Sequence, residues 1–150
     1  MQEDRCVFCQ MMVKKIPVHL VYEDKNIMAF LDNRPAEQGH TLVIPKRHVE
    51  TIYDLSEEDT ACLFAVVRNI AVKLKNTFNP NGMSIIQRNG IIAGQHIPHV
   101  HVHVIPRFTG RHLRRMEEIP EVSAEELEVI AARVRENTSM GMKTTGEHFR

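Results

Sequence analysis

Gly94-Gln95-His96-Ile97-Pro98-His99-Val100-His101-Val102-His103-Val104-Ile105-Pro106 is the stretch from which the rest of this chain can be read. In extended backbone successive side chains point to opposite faces. His99, His101 and His103 therefore share one face, and Val100, Val102 and Val104 share the other. The segment is expected to be a strand whose valines cover a core. Three imidazoles along about 13 Å of strand, at roughly 3.3 Å per residue, do nothing for that core. Two chemistries use such a row. One is nucleophilic or acid–base work near neutral pH, for which an imidazole is suited. The other is metal binding, since strand positions i and i+2 can both reach one zinc.

Working outward, short apolar runs at Val18–Val21 and Ile27–Leu31 flank Glu23-Asp24-Lys25-Asn26 and predict a hairpin. Residues 35–39 form a loop, and Thr41–Ile44 a strand stopped by Pro45. Ser56, three residues before Asp59, predicts a helix N-terminus. Leu63, Val66, Val67, Ile70, Ala71 and Leu74 continue it at helical spacing, to a stop near Phe78 at Asn79-Pro80-Asn81-Gly82. Met83–Gln87 reads as a strand and residues 89–94 as a glycine-bounded loop. Ser123 with Glu126 predicts a second capped helix through Leu127, Ile130, Ala131 and Val134. The order of strands, helix, strands, helix predicts an α+β domain with a mainly antiparallel sheet of about five strands and two main helices.

Length and composition bound the function. A chain of 150 residues with 43% apolar residues predicts one domain, with a core at about 6–136 and a polar tail at 137–150. Nineteen basic and nineteen acidic residues balance, so neither nucleic acid nor a membrane surface is an expected partner. The local cluster Arg111, His112, Arg114 and Arg115 is offset by Glu117 and Glu118 and reads as a solvated loop. No apolar run approaches the ~20 residues of a membrane span. The start, Met1-Gln2-Glu3-Asp4-Arg5, does not read as a secretory signal, and three cysteines do not make a disulfide framework. A cytoplasmic, reducing setting is expected.

Cys6-Val7-Phe8-Cys9 has the Cys-x2-Cys spacing, which serves redox pairs and zinc sites alike. No strand-to-helix pattern precedes it, which favours zinc. No second Cys-x2-Cys exists, so histidines must complete such a site. Cys62 falls inside the first long helix, where a small buried apolar role is expected.

With these features together, the chain resembles the histidine triad (HIT) family of nucleotide hydrolases and transferases, in its bacterial zinc-containing branch. The resemblance runs from Cys6 to about Arg107. It includes Ile16-Pro17, Tyr22-Glu23-Asp24, Phe30-Leu31-Asp32, the run from Gly39 to His48, Asn89-Gly90, Gly94-Gln95, the triad and Ile105-Pro106-Arg107.

The resemblance implies that His101 attacks the α-phosphorus of a nucleotide to form a covalent nucleotidyl-enzyme, which water then hydrolyses. It implies that His103 and His40 orient the nucleophile or contact phosphate. Gln95 would contact phosphate, Asp32 would hold the ribose hydroxyls, and Asn89 would touch substrate. It implies a structural zinc on Cys6, Cys9, His48 and His99, with no catalytic metal, and so releases His101 from metal duty. It also implies a homodimer with a sheet extended across a twofold axis, for which the first long helix is the candidate contact. Purine nucleotides are the implied substrates: a phosphoramidate, an acyl-adenylate or a dinucleoside polyphosphate.

Two positions depart from the family pattern. His96 stands where many relatives carry a hydroxyl residue. It is either a proton donor in the substrate site or, as favoured here, a solvent-exposed side chain. Arg88-Asn89 stands where many carry two amides, and Arg88 either meets phosphate or points to solvent. The rival to an enzyme is a nucleotide-binding regulatory partner protein whose hydrolysis is incidental.

Overall fold

The computed structural model describes residues 2–111 and 119–137. The basic cluster beyond Arg111 and the tail from residue 138 lie outside the described residues. Two short helices, α1 (Gln2–Arg5) and α2 (Val7–Met12), precede strands β1 (Leu20–Glu23), β2 (Ile27–Leu31) and β3 (Thr41–Pro45). Then follow the long helix α3 (Glu57–Phe78), β4 (Gly82–Gln87), β5 (Val102–Arg107) and α4 (Ala124–Glu136). The five strands form one antiparallel sheet in the order β1-β2-β3-β5-β4.

Local chemistry sets the element ends. Asp24 Oδ1 accepts from the backbone N–H groups of Asn26 (2.7 Å) and Ile27 (2.8 Å), closing the β1–β2 turn. Ser56 Oγ accepts from Asp59 N–H at 3.0 Å and starts α3. Asn79 ends α3 in left-handed backbone, φ 47°. At α4 the capping box is complete, with Ser123 and Glu126 bonding each other's backbone.

The sheet is covered on both faces, so β2 and β3 are buried at every position. Alternation still divides them. Ile27, Ala29, Leu31 and Val43 pack with Leu63, Val66, Val67, Ile70 and Leu74 of α3 and Leu127, Ala131 and Val134 of α4. Met28, Phe30, Leu42 and Ile44 pack with Cys6 and Phe8 at the chain start. At about 1.5–3 kcal/mol per buried side chain, the five α3 residues alone contribute on the order of 10 kcal/mol before entropy is counted.

The structure corrects three expectations. The triad segment is not all strand, because β5 begins at Val102. β4 ends at Gln87 opposite Val102, so among the described residues His99–His101 have no ladder partner beyond one bond, from Val100 N–H to Val49 C=O at 2.8 Å. The alternation nonetheless persists, with Val100, Val102 and Val104 all in the helix-side core. The chain start is helical over Val7–Met12, so the Cys-x2-Cys does sit at a helix N-terminus. Cys62 is only partly buried.

Candidate functional site

Turns at both ends of β3 bring the second-face side chains together. The β2–β3 connection is closed by Asp32 N–H donating to His40 C=O at 2.9 Å. Gly39 adopts φ 88° against α3, where a Cβ would come to 2.8 Å from the Phe78 ring. Only glycine fits there, and it delivers His40 to the sheet. His103 on β5 lies beside His40, and His101 beside His103, with ring centroids 5.2 and 5.1 Å apart. Phe8 sets its edge against His99 (5.6 Å), His101 (5.2 Å) and Phe30 (5.5 Å).

Hydrogen-bond partners fix the tautomers. A backbone amide can only donate, so the Ala36 N–H at 3.0 Å makes His40 Nδ1 an acceptor. His40 then bears its proton on Nε2 and donates to His103 Nδ1 at 2.9 Å. That Nε2 is also 3.6 Å from Asp32 Oδ2. A carbonyl can only accept, so His101 Nδ1 donates to His99 C=O at 2.7 Å. In the neutral ring, His101 Nε2 carries the free lone pair.

Burial keeps these rings neutral. It pushes His40 down to about 3, helped by the charges of His103 and Arg107. It pushes His103 down to about 4, helped by His101 and Arg88. His101 is lowered by burial and by Arg88 and His96, with the bond to the His99 carbonyl opposing. Burial raises the Asp32 carboxyl, against the backbone bond and charge of Arg34. A cavity of about 620 Å³ borders Asp32 and His40 and runs to α4, away from His101 and His103.

A second constellation shares His99. Cys6 and Cys9 Sγ and the ring nitrogens of His48 and His99 all lie within 4.8 Å of one another. His99 Nδ1 is 3.5 Å from Cys6 Sγ and 3.7 Å from Cys9 Sγ, and His48 Nδ1 is 3.3 Å from Cys9 Sγ. Tetrahedral zinc, with bonds of about 2.3 Å to sulfur and 2.0–2.1 Å to nitrogen, sets an S···N edge near 3.6 Å. The donor set therefore fits such an ion. His99 Nε2 donates to Pro45 C=O at 2.8 Å, which turns Nδ1 toward the sulfurs. Burial and Cys6 push the Cys9 thiol up to about 12, so its thiolate requires a cation beside it.

The remaining expected site residues are elsewhere engaged. Gln95 is buried. Its Oε1 accepts from Gly90 N–H (2.7 Å), and its Nε2 donates to Glu50 C=O (2.7 Å) and Ile97 C=O (3.1 Å). Asn89 Oδ1 accepts from Ile52 N–H (2.8 Å) and from Gln87 Nε2 (2.9 Å), and its Nδ2 donates to Gln87 Oε1 (2.6 Å). Both side chains hold the loops around the site. His96 is exposed. Sequence reading missed Phe8, whose only signal was an aromatic between the paired cysteines. It also missed the carbonyls of Pro45 and His99, which leave no sequence signal.

This is an α+β domain with a buried imidazole cluster beside a Cys/His group able to hold a metal. A profile of the HIT domain matches residues 13–110. Protein hit of Bacillus subtilis is 41% identical over 105 residues, 70% of this chain and 72% of that protein. The adenosine 5′-monophosphoramidase of Schizosaccharomyces pombe is 37% identical over 102 residues, 68% of this chain and 74% of that protein. A Zn-bound histidine triad family protein from Mycobacterium smegmatis has the same fold, with TM-score 0.78 at 33% identity over 89% of this chain and 92% of that one. The chain belongs to the HIT family.

Proposed function

We propose that this protein is a nucleotide hydrolase or nucleotidyl transferase acting at the α-phosphate of adenosine-type nucleotides through a nucleotidyl-histidine on His101. The observation that carries this reading is the 2.7 Å bond from His101 Nδ1–H to the His99 carbonyl. It leaves Nε2 unprotonated on a ring that burial holds neutral, which is what a nitrogen nucleophile needs. The phosphoramidase relative from Schizosaccharomyces pombe supports the reaction class.

In this reading His101 Nε2 attacks the α-phosphorus and the bond to the leaving group breaks. Water then attacks the same phosphorus, a P–O bond forms as the P–N bond to His101 breaks, and the nucleoside monophosphate leaves with the imidazole regenerated. His103, held by His40, presents its own Nε2–H toward the phosphate side. That donor faces charge that grows in the transition state, so it is worth more there than in the ground state. Asp32, beside His40, binds the ribose hydroxyls. Gln95 and Asn89 contact substrate by giving up present partners, or act by shaping the loops; the present bonds favour the second role. His96 is a solvent-exposed neighbour of the substrate.

Cys6, Cys9, His48 and His99 hold a structural zinc in this reading. Its contribution is to staple the chain start against the His99–His101 segment, with Phe8 wedged between. The Zn-bound relative and the S···N spacings support it.

A homodimer joined along β4 is part of the same proposal. β4 is an edge strand, Ile85 on it is 48% exposed, and Phe64 of α3 is 36% exposed. The opposite edge is tied down by Arg135 Nη1–H donating to Leu20 C=O at 2.6 Å. An edge strand that carries an exposed apolar side chain favours pairing with a second copy.

The test is AMP release from adenosine 5′-phosphoramidate and from a diadenosine polyphosphate by wild type and His101→Ala. Release by wild type alone is expected. No release by wild type, with AMP still bound, contradicts the hydrolase reading.

A further inference from the structure

Arg88 is a cation beside the triad that the mechanism above does not use. The β4–β5 ladder pairs Ile86 with His103 and ends at Gln87 opposite Val102. Paired residues share a face, so Arg88, two residues past Ile86, returns to the imidazole side next to His101. Its stem lies across Gly94, where a Cβ would come to 3.0 Å from Arg88 Cδ and 3.2 Å from Nε. Its charge is near enough to lower the basicity of His103.

Arg88 is half-buried, and among the described residues its guanidinium meets no carboxylate and donates no hydrogen bond. A partly desolvated fork of five donors without an acceptor is costly and selects an anion. The site's acid, Asp32, is near His40, at the β3 flank of β5; Arg88 is at the β4 flank. A nucleoside anchored at Asp32 therefore directs the far substituent of its α-phosphate toward Arg88.

We propose that Arg88 receives an anionic leaving group, so that this chain prefers adenosine nucleotides whose α-phosphate is joined to further phosphate over those joined to a neutral amine. The inference rests on the hydrolase reading above. In the step concerned, His101 Nε2 forms the bond to the α-phosphorus as the bridging P–O bond breaks. The electron pair leaves on the terminal phosphate oxygen, whose charge Arg88 neutralises without a proton transfer. An amine leaving group needs a proton instead, which Arg88 cannot give at neutral pH.

Full-length wild type, Arg88→Gln and Arg88→Lys are compared on diadenosine tetraphosphate and adenosine 5′-phosphoramidate. The expected result is that Arg88→Gln lowers the ratio of the two kcat/KM values by roughly 10–100-fold, the range for one charge-assisted hydrogen bond, and that Arg88→Lys restores part of it. An equal loss on both substrates, or no change, overturns the inference and leaves the hydrolase reading standing. Calorimetric binding of ATP and AMP separates the other case. If wild type turns over neither substrate yet binds ATP more tightly than AMP, and Arg88→Gln closes that gap, the anion site stands and the hydrolase reading falls. No such gap overturns the inference as well.

Discussion

Acidification from pH 7.5 to 5.0 tests the buried imidazole pair quantitatively. His40 has its pKa pushed from 6.5 to about 3 by burial and by the charges of His103 and Arg107. The sign follows from linkage. The unfolded chain takes up a proton on this residue below pH 6.5 while the folded chain does not, so stability present above pH 6.5 is lost as pH falls toward 3. At pH 5.0 the gap is 1.5 units at 1.36 kcal/mol each, or about 2 kcal/mol from His40. For a chain of this size that is about 4–8 °C in Tm.

Wild type and His40→Gln are unfolded in urea at both pH values. The variant lacks the His40 contribution, so its stability is expected to fall by about 2 kcal/mol less between the two pH values. The comparison cancels contributions from groups that His40 does not touch, His99 and any bound metal on it among them. Equal losses in the two proteins refute the claim that folding holds His40 neutral by burial.

Two further outcomes follow from the packing. Chelation, or Cys9→Ser, is expected to raise hydrogen exchange across residues 3–15 while the core beneath α3 keeps its protection, because the two apolar clusters lie on opposite faces of the sheet. Global unfolding on chelation contradicts this. Asn89→Ala leaves the Ile52 amide and Gln87 Oε1 without the partner they have in the folded chain, while Gln87 Nε2 keeps its 3.2 Å bond to Arg88 C=O, so a loss of roughly 1–3 kcal/mol in urea unfolding is expected; no loss contradicts the structural role of that amide.

The sequence disclosed what repeats over several turns or residues. The α3 stripe from Leu63 to Leu74 and the Ser56 and Ser123 caps were readable because each rests on local spacing. The valine–histidine alternation assigned the two faces correctly even though regular pairing starts only at Val102. What escaped depends on partners distant in sequence. Whether His99 belongs to a strand turns on where β4 stops. The six-residue α2 is too short for a periodic signal, and its position follows from Phe8 docking under β2 and β3. The engagement of Gln95 with Glu50 and Ile97, and of Asn89 with Ile52, joins loops that no local pattern connects. The tautomers of His99 and His101 depend on two backbone carbonyls, which every residue possesses and no motif marks.

The central claim is that His101 is the atom donor to phosphorus. The most direct measurement is to mix the protein with an adenosine 5′-phosphoramidate, quench, and map the modified peptide by mass spectrometry at neutral to mildly alkaline pH, where phosphorus–nitrogen bonds survive. The account predicts one adenylyl group on His101 in wild type and none in His101→Ala. Adenylylation of another residue, or turnover by His101→Ala at the wild-type rate, contradicts it.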